Sequence, residues 1–190
     1  TDGSSEMIKV AQKKYPNVPF TQINILNIDR LDETYDILFS NFGGLNCLSP
    51  RQLSDFFLDA HSKLKNGGSL QLVIMGKKCL WDKLFLVLKG RKKEHNRRNT
   101  DNALSVNVDG TEVLTWYYSP NDIQFLTEGQ YDIKKCTPIG FFVPPSYLAK
   151  AFEKRKFVFR ILSILDKLIS FRFLSNYADH YFINLTKKGQ

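Results

Sequence analysis

Residues 35 to 76 constrain this chain more than any other segment. The stretch Tyr35 to Ser40 contains Ile37-Leu38-Phe39, a short apolar run of the kind a parallel strand shows when helices cover both of its faces. Asn41-Phe42-Gly43-Gly44-Leu45-Asn46 stops it. Ser49-Pro50 then reads as a helix start, because a serine oxygen can accept from a free first-turn amide and proline at the first helical position has no amide to satisfy. Leu53, Phe56, Phe57, Ala60 and Leu64 follow at helical spacing on one face. Lys63 and Lys65 suit the negative helix end, and Asn66-Gly67-Gly68 tolerates positive φ beyond it. Leu70, Leu72, Val73, Ile74 and Met75 form the next buried strand. A strand, helix and parallel strand in this order make a right-handed unit, and ligands of open α/β sheets bind just past the carboxyl ends of such strands. The polar and glycine residues after Ser40 occupy that edge.

The same alternation extends over the rest of the chain. Ser4 or Ser5 caps a helix from about Glu6 to Tyr15, and Val18 to Leu26 is a strand candidate. Leu80, Trp81, Leu84, Phe85, Val87 and Leu88 suggest a helix. Leu104, Val106 and Val108, then Val113, Leu114 and Trp116, alternate about Asp109-Gly110 as a β-hairpin. Ser119-Pro120 starts a helix through Leu126, Tyr131 to Cys136 reads as a strand, Pro145 to Leu174 as helix, and Tyr181 to Leu185 as a closing strand. The fold class is therefore α/β.

With 190 residues, 43% of them hydrophobic, the chain can bury one sizeable core. Cys47, Cys79 and Cys136 are widely spaced and odd in number, which indicates neither a disulfide framework nor a zinc site. None of His61, His95 and His180 has metal-ligand spacing, so no metal is assigned. The most apolar stretch, residues 157 to 174, is interrupted by Arg160, Asp166, Lys167 and Arg172, and no transmembrane segment is expected. The reading is cytoplasmic. A net charge of +8 attracts phosphate, but the main basic run, residues 89 to 98, lacks interleaved aromatics and reads as a solvated loop. Nucleic acid is not the expected partner.

Four stretches, in order, resemble the class I S-adenosylmethionine-dependent methyltransferases. Asp2-Gly3-Ser4-Ser5-Glu6-Met7-Ile8 with Ala11 is similar to the family segment in which an acid ends the second strand and binds ribose. Tyr35 to Gly43 resembles the fourth-strand motif beside the methyl donor. Leu64-Lys65-Asn66-Gly67-Gly68 resembles the turn into the fifth strand, with Asn66 in the usual proline place. Ala178-Asp179-His180-Tyr181-Phe182 resembles the lead-in to the last, antiparallel strand. The resemblance implies a Rossmann-like sheet, mostly parallel with an antiparallel last strand, in one domain over residues 1–190. A hairpin at residues 100–118 and a helical cap at residues 141–175 are read as insertions over the site.

It implies S-adenosylmethionine as cofactor, held by Asp2, Gly3, Met7, Asn24, Ile25, Asn41 and Phe42. Asn24 stands where the family often offers an aspartate to adenine; its carbonyl oxygen can still accept. Asn46 and Trp116 are the substrate-binding candidates, and Tyr117, Tyr118 and His180 the weak catalytic ones. The acceptor is read as a small molecule, a hydrophobic one among the candidates. A non-catalytic interaction module of the same fold, a nucleic-acid methyltransferase and a dehydrogenase are the alternatives.

The family's first strand and glycine-rich loop have no counterpart before Asp2, so the fold is read as N-terminally incomplete. The 190-residue chain alone is expected to be inactive and prone to self-associate, unless residues 18 to 26 move into the gap. The apolar helix before Leu174 carries a polar stripe of Arg160, Ser163, Lys167 and Ser170. Burial between sheet and hairpin is the favoured explanation, and a lipid or hydrophobic-substrate surface the other.

Overall fold

The structure is a computed structural model that describes residues 1–41, 43–108, 110–145, 148 and 155–189. Strands β1 (Tyr35–Ser40), β2 (Leu64–Met75), β5 (Tyr131–Ile139) and β6 (His180–Lys187) form one sheet in the order β1-β2-β6-β5. β1 and β2 are parallel, and β6 runs antiparallel to both of its neighbours, so three strands point one way and the last is reversed. β3 (Leu104–Val108) and β4 (Thr111–Thr115) form a separate hairpin. The α-helices are α1 (Ser5–Lys14), α2 (Pro50–Ser62), α3 (Leu80–Leu88), α4 (Pro120–Leu126) and α5 (Lys156–Leu168).

The unit at residues 35 to 76 forms by local chemistry and then by packing. The Ser49 side chain accepts from the Gln52 amide while Gln52 accepts from the Ser49 amide, which completes a capping box ahead of Pro50. Leu53, Phe57 and Ala60 are fully buried against the sheet beside Leu70, Leu72, Ile74, Ile183 and Leu185. Each buried leucine or phenylalanine contributes about 1.5–3 kcal/mol relative to exposure. At the turn into β2, Gly67 has φ of 73°, and a Cβ on Gly68 would lie 2.9 Å from the Lys65 carbonyl oxygen and 3.2 Å from those of Tyr35 and Asp36. Glycine at 68 is what lets β1 and β2 close on one another across the bulge between Tyr35 and Ile37.

Three expectations require correction. Residues 18 to 26 do not make a strand. Asp2 and Gln22 form one parallel bridge, and a 3-10 helix spans Ile25–Arg30, because Pro19 has no amide for a ladder and the Asn24 side chain caps the Leu26 amide at 3.0 Å. Among the described residues β1 pairs with β2 alone. Ile37 and Phe39, expected to be covered, are accordingly 56% and 60% exposed. The helix expected over residues 145 to 174 is, in its described part, α5 at Lys156–Leu168, followed by extended Ile169 and a 3-10 helix at Arg172–Asn176. Residues 146, 147 and 149–154 lie outside the described residues.

The third correction concerns what α5 buries. No residue of α5 is buried, so it is not a helix packed between sheet and hairpin. It is held by Asp166, whose carboxylate accepts from the amides of Gly140, Phe141 and Phe142, each at 2.8 Å, just beyond the carboxyl end of β5. Its polar stripe is turned toward that strand: Ser163, Asp166, Lys167 and Ser170 line a cleft with Lys135 and Thr137.

Candidate functional site

The carboxyl end of β1 opens into a cleft of about 600 Å³. It is lined by Thr1, Asp2 and Gly3; Ile23, Asn24 and Ile25; Ile28 and Leu31; and Leu38 to Asn41 with Gly44, with Phe56 of α2 and Leu70 of β2 behind them. Their convergence follows from the chain's local chemistry. Asp2 is fixed by backbone bonds to Thr21 and Ile23, and its Oδ1 accepts from the Ser4 amide at 2.8 Å, directly ahead of the Ser4 cap of α1. Asn24 spends one carbonyl lone pair on the Leu26 amide and keeps its amide donors and a second lone pair. Gly43, with φ of 79°, makes the turn that brings Gly44 to the cleft wall.

Of the residues named from sequence for a cofactor, Asp2, Gly3, Asn24, Ile25 and Asn41 are brought together here. Met7 is 58% exposed and does not line the cleft; its neighbour Ile8 turns inward. Phe42 lies outside the described residues. The apolar lining from Ile28, Leu31 and Phe56 has no sequence signal of its own, because these residues look like any other core positions.

The substrate and catalytic candidates sit beyond the carboxyl end of β2. Asn46 is fully buried and is a structural clasp. Its Nδ2 donates to the carbonyls of Trp116 at 2.6 Å and Met75 at 3.3 Å, its Oδ1 accepts from the Met75 amide at 2.9 Å, and its own carbonyl accepts from the Trp116 amide at 2.7 Å. The clasp seats the end of the hairpin over the sheet edge. Trp116, Tyr117 and Tyr118 line a second cavity of about 280 Å³ with Pro50, Lys77 and Asp122. The Tyr118 hydroxyl donates to the Leu48 carbonyl, and burial raises its pKa far above the ordinary value, which ill suits a proton acceptor. Tyr117 is also pushed up by burial, against the opposing pull of Arg98 and Arg97, and the Arg98 guanidinium lies 4.9 Å from its ring centre.

Arg98 corrects another expectation. The basic run at residues 89 to 98, expected to be solvated, is not so to its end: Arg98 is only 6% exposed. It pairs with Asp179 at 2.9 Å and with Asp82 at 3.3 Å, while Arg97 also binds Asp82. Asp179 in turn holds His180 Nδ1 at 3.0 Å. Burial alone would raise the Asp179 carboxyl; the hydrogen bond from His180 and the charge of Arg98 hold it below its ordinary range. His180 is thus oriented by a carboxylate, and it faces Met75 across the sheet. The sequence signal was the acid directly before His180. Cys79 nearby is inert, its thiol pushed up to about 11 by burial. Among the described residues no group of three or more His, Cys, Asp or Glu side chains could hold a metal ion.

Residues 1–68 match a family described as "Methyltransferase domain". This segment contains the whole lining of the β1 cleft except Leu70. Several solved structures share the fold. An S-adenosylmethionine-dependent methyltransferase from Clostridium acetobutylicum ATCC 824 is 14% identical, with 98% of this chain and 73% of that one covered at a TM-score of 0.58. The CcbJ methyltransferase from Streptomyces caelestis is 10% identical, with 97% and 77% covered at 0.59. The N-methyltransferase NodS from Bradyrhizobium japonicum WM9, solved with S-adenosyl-L-homocysteine, is 11% identical, with 100% and 65% covered at 0.51. Over residues 1–68 the chain is similar to this methyltransferase domain, and its fold is shared with solved S-adenosylmethionine-dependent methyltransferases. No curated protein sequence matches it significantly. The Trp116 cavity lies along the same sheet edge as the β1 cleft. No described helix is long and apolar enough to cross a membrane.

Proposed function

We propose that this protein is a methyltransferase that binds S-adenosylmethionine in the β1 cleft and methylates a small acceptor, a hydrophobic one being the best candidate, from the Trp116 side. The carrying observation is the cleft itself: one carboxylate, one amide side chain and the Asn41 turn, drawn from distant segments, meet at the carboxyl end of a parallel strand. In this reading Asp2 Oδ2 accepts from the ribose hydroxyls, Asn24 reaches adenine nitrogens, and Asn41 flanks the amino-acid end. The donor supplies an electrophilic sulfonium methyl. The protein's contribution is alignment of acceptor and methyl, which needs no metal and, for a nucleophilic acceptor, no base. Where a proton must be taken up, His180 is better suited than Tyr118, since Asp179 fixes its ring. We place the reaction in the cytoplasm, consistent with three free cysteines. Among the described residues the outer edge of β1 has no strand beside it, and self-association of residues 1–190 through that edge is part of the same proposal.

Calorimetric titration of S-adenosylmethionine into protein carrying residues 1–190 tests the reading. Asp2→Ala should weaken binding by about 1.5–3 kcal/mol, the value of a charge-assisted hydrogen bond. Unchanged affinity removes Asp2 from the site.

A further inference from the structure

We propose that α5 and the segment after it form a docking surface for an anionic lipid bilayer. Helices of soluble domains turn their apolar stripe toward the fold and their polar stripe toward water. α5 does the reverse. The side that carries Asp166 and Ser163 is the one set against Gly140–Phe142 and β5. Phe157, Ile161, Ile164 and Leu168, at i, i+4, i+7 and i+11, form the opposite side, and they are 76%, 43%, 50% and 73% exposed. Phe171 and Phe173 prolong this apolar surface beyond the helix; they are 62% and 63% exposed, with ring centres 6.0 Å apart.

Charge selects the occupant. Between residues 155 and 175 the cations are Arg155, Lys156, Arg160, Lys167 and Arg172, and the sole acid is Asp166, which is committed to three backbone amides. Arg155, Lys156, Arg160 and Lys167 are exposed and have no ion-pair partner among the described residues. Lys156, Arg160 and Lys167 fall on one flank of the apolar stripe. An apolar ridge with cations along its flank matches a bilayer surface, where aromatic and aliphatic side chains enter the acyl boundary and lysine and arginine meet lipid phosphates. A second copy would bring cations against cations. α3 extends the likeness: Trp81 donates to the Phe141 carbonyl, so that helix begins beside the anchor of α5, and it carries exposed Leu84 and Leu88 with Lys83 and Lys89. Such a surface would hold the protein beside lipid-dissolved molecules whatever its acceptor.

Co-sedimentation with vesicles tests the proposal. Vesicles of phosphatidylcholine with about a third phosphatidylglycerol should bind the protein, with affinity falling steeply between low and physiological salt. The double variant Arg160→Glu/Lys167→Glu should lose more than about twentyfold of that binding, taking roughly fivefold for each surface cation. Phe157→Ser/Leu168→Ser should lose binding while keeping the melting temperature, since both side chains are exposed; a circular-dichroism melt confirms the fold of each variant. Absence of binding to anionic vesicles overturns the proposal, as does equal binding to pure phosphatidylcholine. If α5 instead serves a second copy or an acidic protein, the Phe157→Ser/Leu168→Ser variant will change oligomeric state or protein capture with no vesicle binding by the parent, which also overturns it.

Discussion

α2 and α5 are both thirteen residues long and both rich in leucine, isoleucine or phenylalanine, yet one is part of the core and the other has no buried residue. α2 is capped on both sides of Ser49, lies across the sheet and places Leu53, Phe56, Phe57 and Ala60 at 5% exposure or less. α5 has no side-chain cap, hangs from the sheet's outer edge by one carboxylate, and presents its apolar side to solvent. Amphipathicity alone therefore says that a helix has a preferred neighbour. Where the polar stripe is tied tells whether the protein itself is that neighbour.

Substitutions can break this contrast. Phe57→Ala should cost about 3–5 kcal/mol in chemical denaturation, as a core phenylalanine meeting β6 residues and Tyr131 leaves a cavity. Asp166→Ala should cost about 1–3 kcal/mol for three orphaned amides, and should raise protease cleavage within residues 155 to 175 before global unfolding. Phe157→Ser should change stability by less than about 0.5 kcal/mol. A loss near that of Phe57→Ala would mean that α5 is buried in solution. The smallest effect is a pH dependence on the α2 side. Burial, and then Lys187, lower the His61 pKa below its ordinary 6.5, so the unfolded chain binds the proton more readily and stability should fall as pH drops from 7 through 6.5. His61→Gln should flatten that slope in a pH series of urea melts.

The contrast also marks what the sequence could tell. Ser49-Pro50, the spacing from Leu53 to Leu64 and the glycines after Asn66 are local signals that packing then obeyed, so the unit at residues 35 to 76 was legible almost to its ends. That Asp2, Asn24 and Asn41 meet at one edge of the sheet was legible from the order of the segments around them. The strand proposed at residues 18 to 26 was not, because Pro19 and the Asn24 cap outweigh the β-propensity of Val18, Phe20 and Ile23. Arg98 misled because its partners, Asp82 and Asp179, are distant in the chain, and a basic run shows only its charge. For α5 the periodicity was visible, but which side faced the fold depended on Asp166 meeting three amides at the end of β5, a contact with no local signature.

Hydrogen exchange measured with and without S-adenosyl-L-homocysteine, on protein carrying residues 1–190, compares the two regions in one experiment. The methyltransferase reading predicts slowed exchange in residues 2–8, 22–28 and 40–46, with residues 155–175 unchanged. Protection confined to residues 155–175, or none near Asp2, Asn24 and Asn41, would contradict it.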